Sequence, residues 1–399
     1  MHKIAVLPGD GIGPEVVNEG LKVLNALAET HSIKFDFTTF KIDSERYLST
    51  GKLLTDEDID DLRKFDAIFL GAIGDDRIQP GILEKGILLK ARFSFDQYVN
   101  YRPAQLWRPF GRLKRDVDFK IDVYRENTED FYIGAGGRFR EGAGEMTLDI
   151  ERELYDLSID IEANASNTDD YAFEIGIMSK KNIERFADYV IAQTKMKGEK
   201  RITVVDKANV LSNIYSLWRE VWNEKGKQAS IQIDYMFVDA MSMALVKNPD
   251  KFRIVATPNM FGDILSDLLA EVTGGLGLAP GGNINPNGIS MYEPVHGSAP
   301  KYKGLDIINP VATILAAKMM IDNLGHRELG QKIEDAVQKT FNKGYSLRTS
   351  AAAPRHMSLA TWSLPSSGSE KRKRDMGRAS GLPSPHFHRF AHHHHVLFW

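Results

Sequence analysis

No cysteine occurs among the 399 residues, which excludes disulfide staples, thiolate nucleophiles and cysteine-built metal sites. No run of about 18 apolar residues is present, so no membrane-spanning helix is expected. Charge of one sign is not in excess either. Lys plus Arg number 51 against 54 Asp plus Glu, and a net charge of −3 gives no global basic footprint for nucleic acid. The opening MHKIAVLPGDG runs straight into a strand pattern, without the charged-then-apolar segment of a secretory signal. These absences point to a cytoplasmic protein whose partners are small molecules, not nucleic acid or membrane. What is present is ordinary for a globular chain, 42% hydrophobic and 26% charged, and its length admits two to three domains at about 100–200 residues each.

Apolar strand-like runs alternate with amphipathic helical stretches. Lys3–Leu7 reads as a strand, and Pro14–Glu29 as a helix with Val16, Val17, Leu21, Val23, Leu24 and Leu27 on one broad face. Ile33–Phe40 alternates like a strand, Asp56–Lys64 is helical, and Ala67–Gly71 is a short buried strand. Arg201–Asp206, Ile231–Val238 and Arg253–Thr257 are strands, each followed by helix-forming sequence. This alternation predicts an α/β fold around a largely parallel sheet. Two stretches break it. Gly134–Asp170 is Gly-rich and acidic with weak periodicity, as in an extension that reaches a partner subunit. From Ser350 the chain is rich in Ser, Pro and basic residues, with KRKR at Lys371–Arg374 and four histidines at His392–His395. Such composition cannot bury enough surface to offset chain entropy, so 350–399 reads as a disordered tail without a role in catalysis.

LPGDGIGPE is a strand, a glycine turn and a helix start. Its glycines permit positive φ and close backbone approach, and the helix N-terminus favours anions. A dinucleotide-binding turn is one reading, with Asp36 near the place of a ribose-binding acid, but the spacing Gly9-x-Gly11-x-Gly13 is not G-x-G-x-x-G. Arg92, Arg102 and Arg125 stand near apolar element ends. Their guanidinium forks suit a substrate with two or three carboxylates, although each alone is also what a solvated surface carries. In NMFGDILSDLLAE, Asp263 and Asp267 are four apart and project from one helical face, and Asp239 opens the helix after IDYMFV. Three hard oxygen ligands suit Mg²⁺ or Mn²⁺. Spacing alone favours a helical surface charge for Asp263 and a helix N-cap for Asp239, but the apolar setting of Asp263 and Asp267 makes unpaired carboxylates costly. Lys207, in VVDKANVL, is a surface cation unless a nearby metal draws off its proton and makes it a base. YEPVHGSAPKYKG contains a turn able to cradle a ribose or phosphate.

Taken in order, LPGDGIGPE, the Arg92/Arg102 block, RENTEDFY, VDKANVL, FVDAM, GDILSDL and EPVHGSAP resemble the isocitrate/isopropylmalate dehydrogenase family over roughly residues 1–349. The resemblance implies a two-domain α/β fold that is not a Rossmann fold. A large domain is built from both chain ends (1–97 and 274–349), a small one from the middle (98–273), and the cleft lies between them. It implies a homodimer, with a tetramer left open, in which each site draws on two chains. Carried over by position, Arg92, Arg102 and Arg125 clamp the substrate carboxylates. Asp263 and Asp267 hold Mg²⁺ or Mn²⁺ with Asp239 of the second chain, which also contacts substrate. Lys207 of that chain helps deprotonate the C2 hydroxyl, and Tyr132 protonates the enol. Tyr124, in the strand, is assigned to packing. The cofactor surface falls on Gly71, Ile73, Glu293, His296, Gly297, Ser298, Ala299, Pro300, Lys301 and Asn309.

The implied reaction is oxidative decarboxylation of a 2-hydroxy dicarboxylic acid. Bacterial-type isocitrate enzymes commonly carry a serine shortly before the first arginine; here Leu88 and Leu89 offer apolar surface, worth ~2–3 kcal/mol to a buried isopropyl group. The expected reaction is therefore 3-isopropylmalate to 4-methyl-2-oxopentanoate and CO₂, a step of leucine biosynthesis. Core packing is the other use of both leucines. RENTEDFY is closer in style to the isocitrate and tartrate branches, which keeps isocitrate, tartrate and malate open. An inert regulatory subunit is the contrasting reading, and retention of Tyr132, Lys207 and the three aspartates counts against it. NAD is the expected coenzyme, with NADP use added because Lys301 and Tyr302 stand where NAD users commonly carry an acid. After Arg348 and Thr349, SAAAPRHMSLATW replaces the Asp-Gly-Gly-like segment and last helix that the family implies.

Overall fold

The computed structural model describes residues 1–108, 110–113 and 117–343, all inside a unit spanning Met1–Leu364. The expected tail, 350–399, lies outside the described residues. The chain opens with β1 (His2–Gly9) and α1 (Gly13–Thr30). Pro14 sits in the first turn of α1, where its missing N–H costs nothing, and Val16, Val17, Val23, Leu24 and Leu27 form the buried face. β2 (Phe35–Thr39), α2 (Ser44–Thr50) and α3 (Asp56–Leu62) follow. A capping box starts α3, Thr55 and Asp58 exchanging side-chain and backbone hydrogen bonds. β3 (Ala67–Ala72) is buried at every position. A π-helical stretch, Glu84–Leu89, then runs directly into α4 (Lys90–Ser94).

β4 (Val99–Gln105) and β5 (Lys120–Glu126) pair antiparallel, with Tyr101 opposite Tyr124. Next come β6 (Asp130–Phe139), β7 (Ala143–Arg152), β8 (Tyr155–Asn164) and β9 (Tyr171–Ile177). β6 pairs with β9 and β7 with β8, outside the main sheet. This is the stretch of weak periodicity. β8 is exposed or half-exposed along its whole length, and a period of two is visible only when one face is buried. The remaining elements are α5 (Lys180–Met196), β10 (Arg201–Asp206), α6 (Ser212–Ala229), β11 (Gln232–Phe237), α7 (Val238–Lys247) and β12 (Ile254–Thr257). Then follow α8 (Asn259–Thr273), β13 (Pro280–Ile284), β14 (Ser290–Pro294), α9 (Val311–Asn323) and α10 (Arg327–Asn342).

Ten strands form one sheet in the order β11-β10-β12-β5-β4-β13-β14-β3-β1-β2. Six of its nine ladders are parallel, as the alternating pattern predicts. The centre differs: β5-β4-β13-β14 is joined by antiparallel ladders. One core cluster draws on Tyr98–Val272 and includes Phe186, Trp218 and Trp222, the two indoles 5.7 Å apart. Two further clusters are built from the chain ends, together with Trp107. Each fully buried Leu, Ile or Phe in them contributes about 1.5–3 kcal/mol. Among the described residues no helix is long and apolar enough to cross a membrane.

Candidate active site

Strand alternation sorts the residues of β4 and β5. Tyr101 and Tyr124 stack on one face, centroids 4.9 Å apart, so Tyr124 serves packing as expected. Arg102 and Arg125 point the other way, onto α8. Arg125, 1% exposed, donates from Nε to Asn259 Oδ1 at 2.9 Å and from Nη1 to Asp263 Oδ1 at 2.6 Å. Arg102 donates to Ser266 Oγ at 2.8 Å and to Asp267 Oδ1 at 3.3 Å, and stands 3.3 Å from Asp263. Tyr132, on β6, donates its hydroxyl to Asp263 Oδ2 at 2.8 Å, and the Arg125 guanidinium lies 5.1 Å from the centre of its ring. A glycine is required at 262, because a Cβ there would stand 2.2 Å from Thr257 Oγ1 and 2.7 Å from the Arg125 side chain. Arg92, buried on α4, feels Glu293, Arg102, Asp263 and Tyr132.

Three guanidiniums against two carboxylates leave this cluster cationic. Burial pushes Arg125 down to about 9 even with Asp263 beside it, and it lowers Arg92 as well. Burial works against the Asp263 carboxylate too, but Arg125, Arg102, the Tyr132 hydroxyl and Arg92 outweigh it and hold Asp263 below its ordinary value. Asp267, where burial prevails, is raised. Tyr132 is raised by burial and by Asp263. Nε of Arg92 and Nε of Arg102 are buried without a hydrogen-bond partner among the described residues. Each costs about 1–3 kcal/mol until an acceptor arrives, so the cluster favours an incoming polycarboxylate.

Lys207 and Asp239 stand apart from this cluster. They pair with each other at 2.6 Å, and that hydrogen bond lowers the Asp239 carboxyl. Asp239 lies in the first turn of α7 and Phe237 is the cap, which removes the helix-cap reading. Among the described residues no three histidines or carboxylates converge as a metal nest, so Asp239 does not join Asp263 and Asp267 within one chain. The elements that carry the two half-sites expose apolar side chains: Val210, three residues after Lys207, is 67% exposed, Met243 and Val246 on α7 are 68% and 46% exposed, and Ile264 on α8 is 58% exposed. The two leucines also separate. Leu88 packs against the core cluster of Leu83, Ile87 and Phe95, whereas half-buried Leu89 belongs to no cluster and lies three residues before Arg92.

The glycine turn proves to be a junction between backbones. Asp10 N–H donates to Ala72 O at 2.7 Å, Ile12 N–H to Ser298 O at 2.8 Å and Gly13 N–H to Asp10 O at 2.8 Å. A Cβ on Gly9 or Gly11 would stand 2.0 Å from a carbonyl oxygen, of Ala72 and Ser298 respectively. These amides, which a Rossmann turn would offer to a pyrophosphate, are spent on β3, the 298 loop and the turn's own Asp10 carbonyl; Asp36 is exposed on edge strand β2. The Rossmann reading fails here. Asp10 ties the turn further, accepting from Ser44 N–H at 2.8 Å and Gly74 N–H at 3.0 Å.

The expected cofactor residues fall in two groups. Gly71 is buried with its backbone against Pro8 and Gly13, and Ile73 packs beside Gly9, so both shape the floor. His296, Gly297, Ser298, Ala299, Pro300 and Lys301 form one loop, with Ala299 at φ +39° and Gly297 and Lys301 exposed. His296 Nε2 has no partner among the described residues, and burial lowers its pKa. Glu293 accepts from Asn283 at 2.7 Å, and Asn309, just before α9, accepts from Val311 N–H at 3.1 Å.

Several supporting residues were not foreseen. Asn259 orients Arg125 and donates to Glu129 O at 3.1 Å, and Ser266 braces Arg102. Within RENTEDFY, buried Asp130 adopts φ +63° and accepts from Met260 N–H at 2.9 Å, anchoring the first turn of α8. The only advance signal was polar residues at helix starts and in a charged run, which ordinarily means solvent. The sequence and the architecture have counterparts among known proteins. A family model described as isocitrate/isopropylmalate dehydrogenase matches residues 3–358. The 3-isopropylmalate dehydrogenase of Thermobifida fusca is 40% identical over 349 residues, covering 86% of this chain and 91% of that protein. That of Streptomyces coelicolor is 40% identical over 338 residues, covering 84% and 90%. The crystal structure of isocitrate dehydrogenase from Methylococcus capsulatus superposes with a TM-score of 0.73 at 29% identity, covering 91% of this chain and 98% of that one. A β-decarboxylating dehydrogenase from Thermococcus kodakarensis gives 0.66 at 26% identity, covering 90% and 94%. With seven motifs in order, a site of three arginines, two aspartates and a tyrosine, and this coverage, the chain belongs to the isocitrate/isopropylmalate dehydrogenase family.

Proposed function

We propose that this chain oxidatively decarboxylates 3-isopropylmalate to 4-methyl-2-oxopentanoate and CO₂ with reduction of NAD, as a step of leucine biosynthesis. The observation that carries the reading is the cationic trio Arg92, Arg102 and Arg125, half-neutralised by Asp263 and Asp267, with apolar Leu89 alongside. The relatives at 40% identity, named 3-isopropylmalate dehydrogenase, favour the same substrate. The donor set fits a hard divalent cation, since two carboxylates one helical turn apart, 33% and 55% exposed, leave room for further oxygen ligands. When bound, Mg²⁺ or Mn²⁺ supplies a Lewis acid at the C2 oxygen and NAD supplies the hydride acceptor. The chain's own residues hold the two carboxylates and move two protons. Lys207 takes the proton of the C2 hydroxyl. When the β-carboxylate leaves as CO₂, its bonding pair passes into the C2–C3 enolate, and Tyr132 delivers a proton to C3.

In this reading Lys207 and Asp239 come from a second copy of the chain. The separation of the half-sites and the exposed apolar residues on the elements that carry them support a homodimer. The β7–β8 hairpin, largely exposed, suits an arm laid on that partner. The core clusters support a large domain of 1–97 with 274–349 and a small one of 98–273, with Trp107 and Ile284 crossing the division. Initial rates of NADH formation from 3-isopropylmalate, isocitrate, tartrate and malate, with Mg²⁺ or Mn²⁺, test the proposal. A kcat/KM for 3-isopropylmalate above the others supports it; a higher value for isocitrate or tartrate refutes it.

A further inference from the structure

A cavity of about 780 Å³ opens on the face of β4 and β5 opposite the arginine cluster. Tyr101, Pro103 and Gln105 from β4 and Lys120, Asp122 and Tyr124 from β5 line it, alternate residues on one face of the two strands, whereas Arg102 and Arg125 fall on the other face. Helices α5, α9 and α10 close its sides. None of Arg92, Arg102, Arg125, Asp263 or Tyr132 lines it, so it is separate from the catalytic cleft. Its volume lies in the range of small-molecule sites, roughly 300–1,000 Å³.

The walls carry both halves of a recognition surface. Tyr101, Tyr124, Trp107, Leu315 and Met319 offer an apolar floor. The acids are already engaged: Asp122 by Lys197 at 2.8 Å, Glu334 by Lys120 and Lys318 at 3.1 Å each, and Asp322 by Lys318 at 2.8 Å. Arg327, exposed at the start of α10, makes no ion pair or hydrogen bond among the described residues. Tyr292, 1% exposed, also lines the cavity. A cation without an ion pair and an aromatic floor complement an organic anion with an apolar body.

We propose that this cavity is a second ligand site, for a small carboxylate with an aromatic or aliphatic body, whose carboxylate meets Arg327. Occupancy is felt at the catalytic cluster, because Tyr101–Arg102 and Tyr124–Arg125 are neighbours on the same two strands facing opposite ways. Benzoate is the probe, titrated calorimetrically into the full chain up to about 20 mM, the scale that small fragments reach. Benzoate could also enter the arginine cluster, so Arg102→Ala is titrated in parallel. Met196, 47% exposed at the rim, gives a blocking variant, Met196→Trp, that leaves the buried network intact. Binding that is retained in Arg102→Ala, at least fivefold weaker in Arg327→Glu and weaker in Met196→Trp, with melting temperatures unchanged, establishes the site. Absence of binding to the unmodified chain, or binding lost in Arg102→Ala but kept in Arg327→Glu, overturns the proposal.

Discussion

Tyr132 and Arg125 hold opposite oxygens of one carboxylate: the phenol donates to Asp263 Oδ2 at 2.8 Å and the guanidinium to Oδ1 at 2.6 Å. The proposed proton donor and a proposed substrate clamp are thus set by one side chain on α8, itself a metal-ligand candidate. Asp263→Asn keeps the shape but not the charge. It should lower kcat by at least about a hundredfold, with added Mn²⁺ restoring little. It should also cost on the order of 2–3 kcal/mol in stability, since buried Arg125 loses its counter-charge. Near-normal turnover without raised metal demand would remove Asp263 from the metal site.

Leu88 and Leu89 should respond differently. Leu88→Ser strips a side chain packed on the core and should lower stability while leaving substrate ratios alone. Leu89→Ser should reduce kcat/KM for 3-isopropylmalate by about ten- to a hundredfold and for malate, which has no branch to bury, much less. Equal losses on both substrates in the Leu89 variant would make that leucine structural as well.

Much of this was legible because it is local. β1, α1, β3, β10, β11 and β12 announce themselves through period and apolar runs, and Asp263 and Asp267 through their spacing of four. The antiparallel centre was not legible: β4 meets β13 some 180 residues later, as in the Asn100–Asn283 contact at 2.8 Å, and no window of sequence encodes that pairing. The acidic run of RENTEDFY also misleads. Glu126, Glu129 and Asp130 look like solvated charges but are buried, satisfied by Thr128, Asn182, Ser179 and Met260. The glycine turn invites a phosphate until its amides are seen to be occupied.

Glu129 gives a pH prediction. Burial, with Glu126 beside it, pushes its carboxyl up to about 7, against an ordinary 4.5 and despite hydrogen bonds from Ser179. Its folded-state value is raised, so its contribution to stability is full below about 4.5 and is lost as pH rises through 7. Glu129→Gln removes this ionisation. Unfolding free energies from urea titrations should therefore fall less in the variant than in the wild type between pH 5 and 8, by on the order of 1–3 kcal/mol. Parallel pH curves for the two proteins would show that Glu129 does not titrate in this range.

Lys301 is exposed beside Tyr302, its ammonium 4.9 Å from the ring centre. Lys301→Asp replaces attraction by repulsion for a 2′-phosphate, and NADP kcat/KM should drop at least about tenfold while NAD is spared. Unchanged NADP kinetics would place Lys301 away from the ribose.

Lys207 and Asp239 pair with each other and not with the arginine cluster, so the whole reading rests on a site completed by a second chain. Lys207→Met and Arg92→Ala should each be inactive on 3-isopropylmalate. When the two are mixed and allowed to exchange subunits, one intact site per heterodimer should form and NADH production should return, to about a quarter of the wild-type rate if exchange is random. Lys207→Met mixed with Asp239→Asn should stay inactive, because both lesions fall in the same donated set. A dead Lys207→Met/Arg92→Ala mixture, with heterodimers confirmed by mass, would contradict the shared site and the roles assigned to Lys207, Asp239 and Arg92.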